Sequence, residues 1–409
     1  MNKTTASVFS IPVFVAALGY FVDIYDLLLY TIVRVPSLRS LGLNDLQIKD
    51  DGLRIINMQM IGLLLGGIIW GVLGDKKGRL SVLFGSILLY SAANFANGFV
   101  QNVDQYAWAR FIAGLGLAGE LGAGITLVSE ILPKEKRGIG TSLVAGVGLS
   151  GAVLAYFISQ EFDWRVCYFI GGGLGIVLLI LRISVAESGM FKDLKVKNIT
   201  RGNFLQFFTN ADRFKKYLLS ILIGLPTWYV IGILVSFSRE FGKAFGISEE
   251  IDPGRAIMFA YVGISIGDIS IGLLSQVLKS RKKALFIFYG LTIISVIAYF
   301  TQSGGTAASM YVICAALGFS TGFWAIFVTM GAEQFGTNLR ATAATTIPNM
   351  VRGSLPLIVL LFKDLLQVKL GHNILVSGMI TGAVVIVITL IAAWFTEETF
   401  TKDLNYLEV

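Results

Sequence analysis

A set of charged residues stands inside long apolar runs of the chain, where a lone charge is costly. It comprises the acids Asp23, Asp26, Glu120 and Asp268 and the cations Arg110 and Arg352. A carboxylate can take up and release a proton, whereas a guanidinium stays charged and presents a planar fork that fits a carboxylate. The set predicts proton coupling by the acids and anion binding by the arginines. The competing interpretation is that each charge belongs to an ion pair that only fixes helix packing.

Two of these acids are neighbours on one helix face. Asp23 and Asp26 are three residues apart, so their side chains point the same way from a helix. Two close carboxylates do not both ionise easily in a low dielectric, so one of them is expected to hold a proton. Among the cations, Arg352 lies near the middle of its apolar run and is favoured as the substrate anchor. Arg110 lies near the start of its run, closer to the outer rim.

Uncharged polar and aromatic residues in the same runs complete the predicted binding site. They are Tyr25, Tyr30, Asn57, Gln59, Trp228, Tyr229, Trp324 and Asn349. Aromatic residues of a membrane bundle mostly face lipid or core, so each is a weak signal alone. We expect Tyr25, Tyr229 and Asn349 to be the first substrate contacts.

The elements that position these residues are membrane-spanning helices. Apolar residues form 55% of the chain and charged residues only 14%, and a helix of about 20 residues crosses the hydrocarbon core. The apolar runs predict an all-α integral membrane protein with twelve helices, over 10–33, 54–74, 80–100, 104–127, 139–160, 165–183, 217–238, 255–278, 284–302, 308–331, 342–362 and 374–396. The charged residues inside the first run favour a retained helix over a signal peptide.

A repeated signature divides the chain into halves. Glu130 precedes Arg137 by seven residues, and Glu333 precedes Arg340 by the same spacing half a chain later. The repeat predicts two bundles of six helices, at 1–184 and 217–397. A central cytoplasmic linker at 185–216 separates them, and a cytoplasmic tail follows at 398–409.

Basic residues mark alternate loops. Examples are Lys76, Lys77, Lys136, Arg137 and Lys279. Because positively charged loops stay in the cytoplasm, both termini are predicted to be cytoplasmic, in an inner membrane. The formal charge of +7 is thus mainly a topology signal and does not indicate nucleic-acid binding.

Residue counts argue against an enzyme. The chain has one histidine, His372, and two cysteines, Cys167 and Cys314, in predicted helices of different halves. Hydrolytic and metal chemistry usually needs clusters of such residues. We expect no metal and no cofactor besides protons as the coupling ion.

The loop after the second predicted helix reads G-V-L-G-D-K-K-G-R, from Gly71 to Arg79. It resembles the signature loop of the major facilitator superfamily, departing at the last position, Leu80. The glycines permit close packing and a tight turn, and Asp75 can lie at a helix N-terminus. We expect these residues and the repeated signature to control opening of the bundle: Gly71, Gly74, Asp75, Gly78, Arg79, Glu130, Arg137, Glu333 and Arg340.

Three further motifs resemble the metabolite:proton and aromatic acid:proton symporter branches of that superfamily. They are the run from Arg110 to Glu120 with the following Glu130 to Gly138, the first-helix stretch Tyr20 to Leu27, and Ala186 to Phe191. The resemblance implies alternating access and proton-coupled import of a small organic anion, such as a carboxylate, by a monomer in the lipid bilayer. The alternatives are an exporter or antiporter of a drug, a carboxylate metabolite or a siderophore, and a non-transporting membrane receptor.

Overall fold

The structure is a computed structural model, and it describes residues 7–182, 202–402 and 406. The predicted motif from Ala186 to Phe191 and most of the predicted linker lie outside the described residues. Helices in the first half are α1 (Ile11–Ser40), α2 (Asp45–Lys77), α3 (Arg79–Gly98), α4 (Val103–Leu117 and Glu120–Ile131), α5 (Lys134–Leu149 and Gly151–Glu161) and α6 (Trp164–Leu181).

The second half repeats this arrangement. Its helices are α7 (Ala211–Val235, continued by Ser238–Ala244), α8 (Pro253–Val277), α9 (Arg281–Thr301), α10 (Ala307–Ser320 and Trp324–Glu333), α11 (Arg340–Gly353, Leu355–Val359 and Leu360–Lys369) and α12 (Ile374–Phe395). Within the described ranges, eleven helices are long and apolar enough to cross a bilayer. The remaining helix, α11, is divided and ends in a π-helical segment. The twelve-helix prediction is confirmed.

Several helices are longer than their apolar runs. α1 continues to Ser40 through Pro36. α2 begins at Asp45, where the Asn44 side chain accepts from the Gln47 N–H and the Gln47 side chain accepts from the Asn44 N–H. Such capping boxes begin helices ahead of the apolar stretch. α7 begins at Ala211, capped by Asn210, so the end of the predicted linker is helical.

Close backbone contacts hold each half together. α2 packs on α4 in the first half, and α8 packs on α10 in the second. A Cβ on Gly114 would lie 2.2 Å from the Gln59 carbonyl oxygen, and one on Gly318 would lie 1.9 Å from that of Ala260. Small residues let helices approach closely where lipid supplies no hydrophobic drive.

The halves meet along two further helix pairs, α2 with α11 and α5 with α8. The ends of α2 and α8 and the start of α5 carry the exposed residues Lys76, Lys77, Lys136 and Lys279 on one face of the protein. We call this the basic face and the opposite one the far face.

Candidate functional site

An ion pair joins α1 to α4 deep in the first half. Arg110 Nη1 donates to Asp26 Oδ1 at 3.0 Å, and its Nη2 donates to the Asp26 carbonyl at 3.0 Å. Gln59 and Asn94 accept further bonds from Arg110 at 3.3 and 3.4 Å. Both charged side chains are fully buried. Arg110 thus forms the ion pair of the competing interpretation, and substrate contact by Arg110 stays a prediction.

A second buried pair joins Glu120 to Arg182. The two guanidinium nitrogens donate to the two carboxylate oxygens at 3.0 and 2.7 Å, and Ser86 donates to Glu120 at 2.8 Å. Glu120 begins the second piece of α4, and Arg182 follows the last residue of α6. Sequence reasoning missed Arg182 because an arginine at the end of an apolar run normally reaches the membrane surface.

Asp268 lies at a helix N-terminus. Its Oδ1 accepts from the Ala325 N–H at 2.9 Å, at the start of the second piece of α10. The other oxygen is buried and has no hydrogen-bond partner among the described residues. A carboxylate here satisfies an unpaired N–H and the positive end of the helix dipole.

Asp23 differs from the other buried acids. Both of its oxygens are buried without a hydrogen-bond partner in the described part of the chain. The charged groups near enough to interact with it are Arg352, Arg182, Glu120 and Asp26. The adjacent predicted acid Asp26 is bound to Arg110, whereas Asp23 forms no hydrogen bond with the described residues.

Arg352 lies in α11, where the halves meet. Its Nη1 donates to Asn349 Oδ1 at 3.2 Å, and its guanidinium carbon is 5.5 Å from the centroid of the Trp324 ring. Asn349 Nδ2 in turn donates to the Ala118 carbonyl of the first half at 2.8 Å. Arg352 Nε is buried and unpartnered among the described residues. The arginine therefore keeps donor capacity at the interface between the halves.

The other predicted binding residues divide into two groups. Tyr25, Tyr30 and Tyr229 donate through their hydroxyls to carbonyls of Cys167, Gly52 and Gly378, each within its own half. Gln59 donates to the Leu27 carbonyl at 3.0 Å and accepts from Arg110. Asn57, Trp228 and Trp324 have buried side-chain atoms without a hydrogen-bond partner among the described residues. Substrate contact by either group stays a prediction.

Asp75 joins the two halves at the basic face. Its carboxylate accepts from the backbone N–H groups of Ala341 and Thr342 at 3.2 and 2.8 Å, and from the Thr342 hydroxyl at 2.6 Å. These donors begin α11, so an acid of the first half lies at a helix N-terminus of the second. Gly71 and Gly74 allow this approach, since a Cβ on either would meet Thr342 or Ala341 at 3.1 to 3.3 Å.

The turn after Asp75 depends on Gly78. Its φ of +107° is in a region that L side chains rarely adopt. The structure does not describe the side chain of the next residue, Arg79, so its predicted role is outside the described atoms.

The two copies of the repeated signature meet across the halves. Arg340 Nη1 lies 3.8 Å from Glu130 Oε1. Within the second half, Arg281 Nη2 lies 2.7 Å from Glu333 Oε1. Arg137 and Arg340 also act on the Glu333 charge, and Arg137 Nε donates to the Leu132 carbonyl at 3.3 Å. These charges gather at the basic face, on both sides of the contact between the halves.

A cavity lies between the halves at the far face. A cavity of about 370 Å³ lies between the end of α1 and the segment that leads into α8, and is lined by Thr31, Arg34, Arg239, Glu250, Asp252 and Gly254 among others. A narrower cleft of about 20 Å³ adjoins it through Thr31 and Arg34 and reaches Asn57 and Trp228. The arrangement is closed at the basic face and indented at the far face.

Comparisons with known proteins identify the family of the chain. Residues 13–359 match the family model of the Major Facilitator Superfamily. The chain is 30% identical to the niacin transporter NiaP of Acinetobacter baylyi, over 71% of this chain and 73% of that protein. It is 27% identical to a putative metabolite transport protein of Haemophilus influenzae, over 82% of this chain and 84% of the other.

A solved structure shares the fold. The proton:xylose symporter XylE, bound to 6-bromo-6-deoxy-D-glucose, aligns over 97% of both chains with a TM-score of 0.75 and 17% sequence identity. The chain belongs to the Major Facilitator Superfamily and is a membrane transporter of small molecules, not an enzyme.

Proposed function

We propose that the chain is a proton-coupled symporter that carries small carboxylate-bearing anions into the cytoplasm. The observation that supports this most is Arg352, which lies where the halves meet and has a buried Nε without a partner among the described residues. A guanidinium binds a carboxylate through two parallel hydrogen bonds. Trp324, beside Arg352, offers an aromatic face to a flat substrate.

Asp23 supplies the proton coupling in this proposal. An ionised carboxylate is costly when it is buried without hydrogen bonds, so Asp23 holds a proton in the closed arrangement. Protonation also removes a negative charge that interacts with Arg352, leaving the arginine to the substrate anion. Proton and anion therefore bind together, and each favours the other.

The direction of transport follows from the basic face. Its exposed residues Lys76, Lys77, Lys136 and Lys279 place it in the cytoplasm by the positive-inside rule. The cavity at the far face then opens to the outside. The relatives named for transport of niacin and metabolites support a substrate of similar size, and niacin is itself a carboxylic acid.

Flux into proteoliposomes that contain a pH-sensitive dye tests the proposal. The panel consists of aromatic and aliphatic carboxylates, sugars, amino acids and lipophilic cations. We expect proton entry when one class of carboxylate is added. Proton exit on addition of lipophilic cations, with no response to any carboxylate, would instead identify a drug antiporter.

The variant Asp23→Asn tests the coupling residue. We expect it to exchange labelled substrate across the membrane but to lose accumulation driven by a pH gradient, because the amide cannot titrate. Asp26→Asn is the comparison, since its acid is already neutralised by Arg110. Normal accumulation by Asp23→Asn would refute the assignment, and loss in Asp26→Asn alone would transfer coupling to that ion pair.

A further inference from the structure

Arg34 is a buried cation on the far-face side of α1. It is only 6% exposed, and it lines both the cavity of about 370 Å³ and the adjoining cleft. Its Nε is buried without a hydrogen-bond partner, and its guanidinium forms no ion pair with any residue in the described ranges. The sequence prediction did not include it, because the predicted first helix stops before it.

The other charged residues that the structure places around the cavity already have partners. Arg239 Nη2 binds Glu250 at 2.7 Å. Asp252 caps the start of α8 by accepting from the Gly254 N–H at 2.9 Å. Arg34 is therefore the cation of the cavity lining that forms no ion pair, within the part of the chain that the structure describes.

A buried charge without a partner is strongly unfavourable, and an anion from solution can remove that cost. We propose that Arg34 is a first binding site for the carboxylate of the substrate, reached from the far face before the anion moves on to Arg352. The inference rests on the proposed function, because it assigns a second site to the same anion.

The shape of the cavity supports this order. The wide cavity can hold a small organic molecule, whereas the cleft beyond Arg34 has room for about one water molecule in this arrangement. Asn57 Oδ1 and Trp228 Nε1 in the cleft are buried and unpartnered among the described residues. An anion held by Arg34 would meet these polar groups next, once the cleft widens.

Kinetics of uptake into intact cells test the proposal, because only the outer face is then exposed to substrate. The probe is nicotinate, or the carboxylate with the fastest flux if the proteoliposome panel identifies a different one. For Arg34→Gln we expect KM to rise about tenfold, as for the loss of one charge-assisted contact. Vmax per molecule at the cell surface should stay near that of the wild type.

Two further variants separate charge from folding. Arg34→Lys keeps the charge but loses the planar fork, and we expect it to restore part of the affinity. Gly52→Ala keeps Arg34 intact but displaces it, because the new Cβ would lie 2.9 Å from Arg34 Cδ. It should raise KM as well. The matched control is Arg54→Gln, which removes an exposed arginine paired with Asp104 outside the cavity and should leave KM unchanged.

The results that would overturn the inference are distinct from failure of the proposed function. If the wild type takes up the anion and Arg34→Gln has the same KM, Arg34 is not a binding site. A lower Vmax at constant KM would also overturn it, since that result assigns Arg34 to closure of the far face. If no carboxylate enters through the wild type, the proposed function fails first, and the inference fails with it.

Discussion

At the scale of residues, three buried acids of α1 and α4 differ in their partners. Asp26 and Glu120 are each neutralised by an arginine at 3.0 and 2.7 Å. Asp23 has no hydrogen bond to the residues described. The charge of a paired carboxylate is offset by its partner, whereas burial without any hydrogen bond makes a carboxylate charge costly. The contrast gives neighbouring acids on one helix different chemistry.

The pair of Glu120 and Arg182 is expected to stabilise the first half. Arg182→Gln leaves Glu120 buried without its cation, which typically costs about 3 kcal/mol or more. We expect a lower Tm for the purified protein in detergent, measured by thermal unfolding. The double variant Glu120→Gln with Arg182→Gln should recover part of the loss, and Arg54→Gln serves as an exposed control. An unchanged Tm in Arg182→Gln would show that the pair does not stabilise the folded protein.

The sequence reveals buried charges but not how they pair. Asp26 and Arg110 are 84 positions apart, and Glu120 and Arg182 are 62 apart. Such pairing depends on which helix faces meet, and an apolar run does not encode this because lipid and helix core demand similar side chains. Arg182 and Arg34 were missed for another reason: they lie at or just beyond the ends of predicted apolar runs, where solvated arginines are common.

At the scale of elements, α4 and α10 are each interrupted, although the sequence predicts continuous helices. The second piece of α4 begins at Glu120, and that of α10 begins at Trp324. Each new N-terminus presents unpaired N–H groups inside the bundle. In α10, Asp268 accepts a hydrogen bond from one of these N–H groups. Its carboxylate also lies at the positive end of the helix dipole. Apolar periodicity contains no signal for such an internal break.

Capping by Asp268 can be separated from proton coupling. Asp268→Ala removes the acceptor for the Ala325 N–H and should lower stability by about 1 kcal/mol, measured as a lower Tm. Asp268→Asn retains an acceptor oxygen and should recover most of that loss. If Asp268→Asn keeps pH-driven accumulation, the acid is structural. If it is stable but uncoupled, the predicted coupling role is correct.

The segment after α12 caps another helix. Glu398 accepts from the Arg281 and Lys282 N–H groups at 3.1 and 3.2 Å and from the Ser280 hydroxyl. Partial burial alone would raise the pKa of Glu398. The hydrogen bonds from Ser280 and from the backbone of Phe400, Arg281 and Lys282 lower that pKa below its ordinary value.

This cap gives the protein a defined acid sensitivity. Because the folded-state pKa is depressed, the stabilisation is complete above the ordinary glutamate pKa of about 4.3. It is lost as the pH falls through the lower folded-state value. We expect the Tm difference between wild type and Glu398→Gln to be constant from neutral pH downward until that range and then to vanish. A difference that grows under acid conditions would contradict this cap.

At the scale of the whole molecule, the two halves are held together at the basic face. Asp75 binds the N-terminus of α11, and Glu130 faces Arg340 at 3.8 Å. The sequence predicts the two halves through the repeated signature, but it does not specify which face is closed. Alternating arrangements of one chain differ by only a few kcal/mol, so such a difference cannot be read from helix patterns.

Removing the Asp75 contact should shift the protein toward opening at the basic face. Asp75→Ala leaves the first N–H groups of α11 without their acceptor. Spin labels on Lys77→Cys and Lys283→Cys report the separation of the halves, since the native Cys167 and Cys314 are buried. We expect a longer distance to gain population in Asp75→Ala. An unchanged distribution would mean that packing alone keeps this face closed.

The cavity at the far face also determines how the transporter could be blocked. Its volume of about 370 Å³ is within the range of pockets that hold drug-sized molecules. A rigid acid too bulky to pass the narrow cleft would occupy the cavity and prevent the far face from closing. Such a blocker is expected to act only when it is applied at the far face. The same acid added at the basic face cannot reach the cavity. Inhibition should therefore depend on the side of the membrane to which the acid is added.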